Sequence, residues 1–200
     1  MNKDLFAEKS KSWDMNSKRV RNAKSIAEAI QKNIELKPTM KLMDFGAGTG
    51  LLSYFIAPFV ETIVMVDNSP SMLEKFKEKA SEFECKTEIR EMDLSRTTLD
   101  EKFDGIISSM TVHHVEDQKA LFTKFYNMLE YGGFIAIADL DSEDGSFHSD
   151  NTGVFHFGFD RDSIEQVAKE VGFKDIKFEL ASSIIKPHCE FTIFLMTAKR

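Results

Sequence analysis

Two cysteines in 200 residues, Cys85 and Cys189, are too few and too far apart to frame a disulfide scaffold or a paired metal site. Reduced thiols are therefore expected, as in a cytoplasmic protein. No apolar run reaches the roughly 20 residues that cross a bilayer. The first ten residues, MNKDLFAEKS, hold no apolar signal core. A cytoplasmic location and no membrane partner are the expectation. Positive charge is also scarce: 26 Lys and Arg stand against 33 Asp and Glu, a formal net charge of −7. Nucleic acid is bound by basic surfaces, so this balance argues against a nucleic-acid partner. The densest basic stretch, Lys9, Lys11, Lys18, Arg19, Arg21 and Lys24, reads as a solvated helix face. Only four prolines occur, with no repeat and no low-complexity tract, so residues 1–200 read as one domain. One Trp and three Tyr against eighteen Phe point to a Phe-rich core.

What is present begins at residue 40. A largely apolar run from Met40 to Phe45 reads as a buried strand. It breaks into Gly46-Ala-Gly48-Thr-Gly50, where a backbone without Cβ atoms can turn sharply and let a ligand approach. Leu51 to Ala57 can then begin a helix. Strand, glycine turn and helix form the nucleotide-site geometry of open α/β sheets. The rest of the chain repeats the alternation. Helices are expected over 17–35, 70–82, 119–129 and 162–171, and strands over 62–66, 87–90, 103–108 and 134–138. Tyr131-Gly-Gly133 reads as a turn ahead of the last of these strands. Two final strands, 173–180 and 191–197, have no helical pattern between them and read as an antiparallel hairpin at one edge. The expected fold is α/β: a doubly wound, mostly parallel sheet over 40–200, with residues 1–36 as a helical segment covering the site.

The glycine spacing is G-x-G-x-G, not the G-x-G-x-x-G of dinucleotide binders, in which a third glycine packs helix on strand. Acids follow at intervals: Asp44 inside the first strand, Asp67 ending the second, Asp93 after the third. Asp67 lies about twenty residues beyond the glycines, the distance at which a carboxylate meets ribose hydroxyls. Asp44-Phe-Gly-Ala-Gly-Thr-Gly50, Val66-Asp-Asn-Ser-Pro-Ser-Met72, Met92-Asp-Leu94, Phe103-Asp-Gly-Ile-Ile-Ser108, Val112-His-His114 and Leu129-Glu-Tyr-Gly-Gly-Phe134 run in one order over residues 40–139. Together they resemble the class I S-adenosylmethionine-dependent methyltransferases, in their small-molecule branch. The resemblance implies a Rossmann-like fold and S-adenosylmethionine as cofactor. It implies that Gly46 and Gly48 pass under the methionine part, and that Asp44 bonds that end or braces the loop. By the same resemblance Asp67 holds the ribose, Asn68 and Met72 flank the adenine, Asp93 and Leu94 meet its polar edge, and Ser109 lies near the amino-acid end. Trp13 either caps the cofactor or staples the first helix.

The acceptor side is less determined. His113 and His114 follow the fourth strand, where ligands bind at carboxyl strand ends; they either line the site or act as a general base. The stretch from Asp141 to Asp160 is long for a connection, and long loops often close over sites. In it, His148, Phe155 and His156 are candidates for the acceptor pocket, with Phe147, Phe157 and Phe159 beside them; the phenylalanines either line that pocket or only anchor the loop. No two histidines have the i, i+4 spacing of a helical metal pair, so no metal is expected. The chain also lacks the Asn or Asp-Pro-Pro-Tyr or Phe motif of amino-methyltransferases acting on bases or glutamine. The resemblance therefore implies in-line methyl transfer to a small-molecule acceptor. The alternative is a non-catalytic module that binds S-adenosylmethionine or S-adenosylhomocysteine.

Overall fold

The computed structural model describes Asp4, residues 6–187 and residues 189–200. Residues 1–3 and Leu5, part of the expected N-terminal segment, lie outside the described residues. Seven strands form one sheet in the order β3-β2-β1-β4-β5-β7-β6. They are β1 (Lys41–Phe45), β2 (Thr62–Asp67), β3 (Lys86–Glu91), β4 (Phe103–Ser109), β5 (Leu129–Leu140), β6 (Lys174–Lys186) and β7 (Cys189–Lys199). The first five are parallel; β7 runs antiparallel to both β5 and β6. The hairpin thus occupies one edge, with its second strand inside.

Strands β1, β2, β4 and residues 133–140 of β5 are buried almost throughout because both of their faces are covered. On one face, α5 (Gln118–Met128) and α6 (Arg161–Val171) bring Leu121, Phe122, Phe125, Ile164 and Ala168 into a core with Met43, Ile106, Ile135 and Phe194. On the other, α2 (Ser17–Asn33), α3 (Leu51–Ile56) and α4 (Pro70–Lys79) supply Ile26, Ile30, Leu52, Ile56 and Phe76 against Leu42, Met65, Ile107 and Leu195. A short α1 (Ala7–Ser10) precedes them. Caps set the helix starts: Asn16, Ser69, Asp117 and Asp160 each accept backbone N–H groups of the first turn. The chain leaves β1 for β2 and β3 on one side, then crosses to β4 and β5 on the other. This reversal opens a crevice at the carboxyl ends of β1 and β4.

Two elements differ from the sequence expectation. Tyr131-Gly132-Gly133 is part of β5 rather than a turn; the ladder to β4 shifts register between Phe103 and Gly105, and Gly132 takes φ +79° there. The carbonyl of Gly133 accepts the Arg200 N–H at 2.9 Å, so the last strand holds this bulge in the sheet. Strand β6 continues to Lys186, six residues past Leu180, because Ser182 to Lys186 keep pairing with Ile193 to Cys189. Its far end reaches the crevice.

Candidate cofactor and acceptor site

A cavity of about 1400 Å³ fills the crevice. Its floor is the glycine turn. Gly46 and Ala47 donate to the Val66 carbonyl at 2.8 and 3.2 Å, tying the turn to β2. Gly46 has φ +68°, and a Cβ there would lie 2.1 Å from Thr111 Cγ2, so glycine is required by both conformation and space. At Gly48 (φ +56°) a Cβ would meet nothing within 4 Å; its backbone is open to whatever the cavity holds.

Asp67 stands at the end of β2. One carboxylate oxygen accepts the Gly48 N–H at 2.7 Å and the other the Ser69 N–H at 2.8 Å. Burial pushes its pKa up, opposed by these backbone donors. A carboxylate offers about four lone-pair sites, so acceptor capacity remains for a diol. Asn68 lines the wall beside it; Met72 (3% exposed) and Leu94 (1% exposed) give apolar surface for a flat ring. Asp93 accepts the Ser95 N–H and hydroxyl, at 3.0 and 2.5 Å, from one oxygen. Lys124 donates to the Leu94 carbonyl at 2.7 Å, which fixes that peptide. An adenosine derivative fits these residues: acid for the ribose, apolar walls and an acidic edge for the base, open backbone at Gly48.

Asp44 is 1% exposed and accepts the Ser53 hydroxyl at 2.6 Å, bracing β1 to α3. Burial pushes its pKa up to about 7; the Ser53 bond opposes this and the charge of Asp67 adds to it. The unfolded carboxyl ionises near 3.8. Below that pH both states are protonated and nothing is lost. Between about 4 and 7 only the unfolded state ionises, so stability falls as pH rises, by up to about 4 kcal/mol. Urea unfolding at pH 4 and pH 7 should show wild type losing stability relative to Asp44→Asn by that order. Parallel curves for the two proteins would refute a buried, elevated Asp44.

The N-terminal segment lies along the same cavity. Asp4 accepts the Ser69 hydroxyl at 2.9 Å and the Ser71 N–H at 3.2 Å. Asp14 accepts the Thr49 hydroxyl at 2.5 Å and pairs with Lys79. Trp13 lines the cavity with the Arg19 guanidinium 3.9 Å over its ring, and Phe6 makes T-shaped ring contacts with both Trp13 and His114. These ties are not visible in the sequence pattern.

At the end of β4, Ser109, Met110 and Thr111 line the cavity. Met110 takes φ +57°, a costly conformation for a side-chain-bearing residue, and this bend brings Thr111 against Gly46. His113 follows, 1% exposed. Its Nδ1–H donates to Asp139 at 2.6 Å, and its backbone N–H donates to the other oxygen of Asp139 at 3.2 Å. The tautomer follows from the carboxylate partner and leaves a lone pair on Nε2. His114 Nδ1 donates to the Gly153 carbonyl at 2.7 Å. Burial, then His113, pushes the His114 pKa down to about 4; burial, then His113 and His114, does likewise to His148. Both are neutral imidazoles at pH 7.

The 141–160 loop divides the acceptor candidates. Phe147, His148 and, at the rim, Phe155 line the cavity. His156 does not: its Nε2 meets the Glu116 carbonyl at 3.2 Å and its ring stacks on Phe159 at 5.4 Å. Phe159 belongs to the core, and Phe157 packs over Gly145, so these two hold the loop instead of lining the site. Sequence reading missed Asp139. Its signal was an acid inside the apolar run from Phe134 to Leu140, where only a partnered carboxylate is tolerated.

Residues 42–133 match the methyltransferase domain family. An uncharacterised methyltransferase of Schizosaccharomyces pombe is 30% identical over 142 residues, covering 63% of this chain and 50% of that one. Phosphoethanolamine N-methyltransferase 3 of Arabidopsis thaliana is 34% identical over 108 residues, 53% of this chain and 22% of the plant protein. The chain spans half or less of the length of these relatives. Among solved structures, Haemonchus contortus phosphoethanolamine N-methyltransferase 2, in complex with S-adenosyl-L-methionine, superposes with a TM-score of 0.71 at 16% identity, over 92% of this chain and 57% of that one. That likeness speaks for the fold. The domain match, these relatives and the shared fold support a class I S-adenosylmethionine-dependent methyltransferase, a family that uses S-adenosylmethionine.

Proposed function

We propose that this chain transfers the methyl group of S-adenosylmethionine to a small, anionic acceptor by in-line displacement. The observation that carries this reading is one continuous cavity with two chemically different ends. Asp67, Gly48, Met72 and Asp93 gather at one end; His113, His114 and His148 gather at the other. When bound, the cofactor supplies a methyl carbon made electrophilic by its sulfonium.

The chain's own residues do the remaining work. Gly46, Gly48, Asp67, Asn68, Asp93, Leu94 and Ser109 hold and orient the cofactor, with Asp44 bracing the turn beneath. Met72 packs on the base. Trp13, with Asp4 and Phe6, covers the cavity and excludes water. His113, held at Nδ1 by Asp139, and the neutral His114 line the acceptor end, where they would position the acceptor or, with their Nε2 atoms free, take its proton. Positioning supplies several kcal/mol of the barrier and a general base about 10² to 10⁴ in rate. Lys9 and Lys186 line the histidine end and push the pKa of His148 down through their charge. Two ammonium groups there favour an acceptor carrying negative charge, in keeping with the phosphorylated amine named for several relatives. A net charge of −7 fits a small molecule better than nucleic acid. No helix among the described residues is long and apolar enough to cross a membrane.

The test is transfer of labelled methyl from S-adenosylmethionine to a panel that includes phosphoethanolamine and other phosphorylated or carboxylated small molecules. Turnover of an anionic member is the expected result. Tight cofactor binding without turnover across the panel would favour the non-catalytic binding module.

A further inference from the structure

We propose that His113, His114 and His148 bind one divalent ion of the zinc class, with a fourth coordination position open to the cavity. The sequence argument against a metal addressed only neighbours on one helix. The fold assembles the set from the residues after β4 and from the distant 141–160 loop. One ring nitrogen from each histidine lies within 4.8 Å of the others. Ring centroids are 4.2 Å apart for His113 and His114, 5.1 Å for His113 and His148, and 5.8 Å for His114 and His148.

The hydrogen bonding of the cluster matches that of metal ligands. His113 is 1% exposed, and its Nε2 is buried with no hydrogen-bond partner. The Nε2 of His148 is likewise buried and unpartnered. A buried polar atom left unmade costs about 1–3 kcal/mol, so two in one cluster call for a common partner. Metal-bound histidines usually donate their other ring N–H to a carboxylate or a backbone carbonyl. His113 does the first, to Asp139 at 2.6 Å, and His114 the second, to Gly153 at 2.7 Å. Asp139 is itself fully buried and brings a negative charge to offset the ion.

The donor set narrows the metal. Three imidazoles suit zinc and its transition-metal neighbours, whereas magnesium and calcium take oxygen. Neither cysteine lines the cavity. Three protein ligands with one open position is the arrangement of catalytic, not structural, zinc sites. Bonds of about 2.0–2.1 Å place tetrahedral nitrogens roughly 3.4 Å apart, so an ion would draw the rings together. His148 is carried by the connection between β5 and α6 and not by a strand or helix. Lys9 and Lys186 line the same cavity as the three histidines, and an anionic oxygen or sulfur of the acceptor would take the open position. That use rests on the methyl-transfer reading; the ion site does not.

The experiment uses the full chain, free of any tag and stripped by chelator, titrated with Zn²⁺ and separately with Co²⁺ in the absence of S-adenosylmethionine. One equivalent should bind with a Kd of about 1 μM or tighter, and Co²⁺ should show the intense visible bands of four-coordination. Asp139→Asn should weaken binding about 10- to 100-fold, and His148→Ala by more. Cys85→Ser and Cys189→Ser should bind as wild type does. His148 sits on a loop, so its variant is the informative one if changes at buried His113 impair folding; circular dichroism checks that both remain folded. Absence of stoichiometric binding, or binding untouched by His148→Ala, overturns the proposal. If S-adenosylhomocysteine still binds in that case, the methyl-transfer reading stands without the metal.

Discussion

Asp67→Ala is expected to weaken S-adenosylmethionine binding at least about 100-fold, near 3 kcal/mol, because hydrogen bonds to a charged group contribute about 1.5–3 kcal/mol each. The change strips two things at once. It removes the acceptor capacity proposed for the ribose hydroxyls. It also releases the Gly48 N–H, now held at 2.7 Å, so the open stretch of the turn loses its brace. Asp67→Asn separates the two: its carboxamide keeps one acceptor oxygen but turns an NH₂ toward either Gly48 or Ser69. An intermediate loss is therefore expected. Calorimetry on both variants reads the effect, and a Kd for Asp67→Ala close to that of wild type would remove Asp67 from the ribose.

Gly46→Ala should destabilise the fold by about 3–4 kcal/mol and abolish cofactor binding. About 1–2 kcal/mol comes from forcing a Cβ into the left-handed region, and the rest from overpacking. The overpacking has a named partner, since the new Cβ would lie 2.1 and 2.3 Å from Thr111 Cγ2 and Oγ1. Thr111 cannot step aside freely, being bonded to the carbonyls of Gly46 and Ser109 and carried by the strained Met110 bend. The pair Gly46→Ala with Thr111→Gly should therefore be more stable than the two single costs predict, by about 1–3 kcal/mol. Denaturant unfolding of the four proteins in the cycle measures this. Strict additivity would mean that the close approach of the two loops is not what demands glycine.

The half of the cavity proposed for the cofactor was legible in the sequence because its residues are brought together by local geometry. The glycine turn and Asp67 each sit at the end of a strand whose apolar run is plain, Asp93 follows the more polar β3, and the parallel order places those ends together. The acceptor half was legible only as a list of candidates. His148 and His156 lie in one loop without periodicity, so nothing in the spacing says that the first faces the cavity and the second stacks on Phe159. Asp139 and His113 stand 26 residues apart and meet only because β4 and β5 are neighbours. Asp14 and Asp4 reach Thr49 and Ser69 through tertiary contact alone. The fold class was read from strand and helix alternation. The misread turn at Tyr131 and the early end given to β6 arose where glycine or serine broke an apolar pattern while backbone pairing continued.

The central claim is that the crevice at the ends of β1, β2 and β4 is a specific site for the adenosine-sulfur cofactor. Isothermal titration of the full chain with S-adenosylhomocysteine, alongside NAD, tests it most directly. One molecule of S-adenosylhomocysteine per chain, with no heat from NAD, is the result expected. Folded protein that takes up neither, or that prefers NAD, would contradict the account.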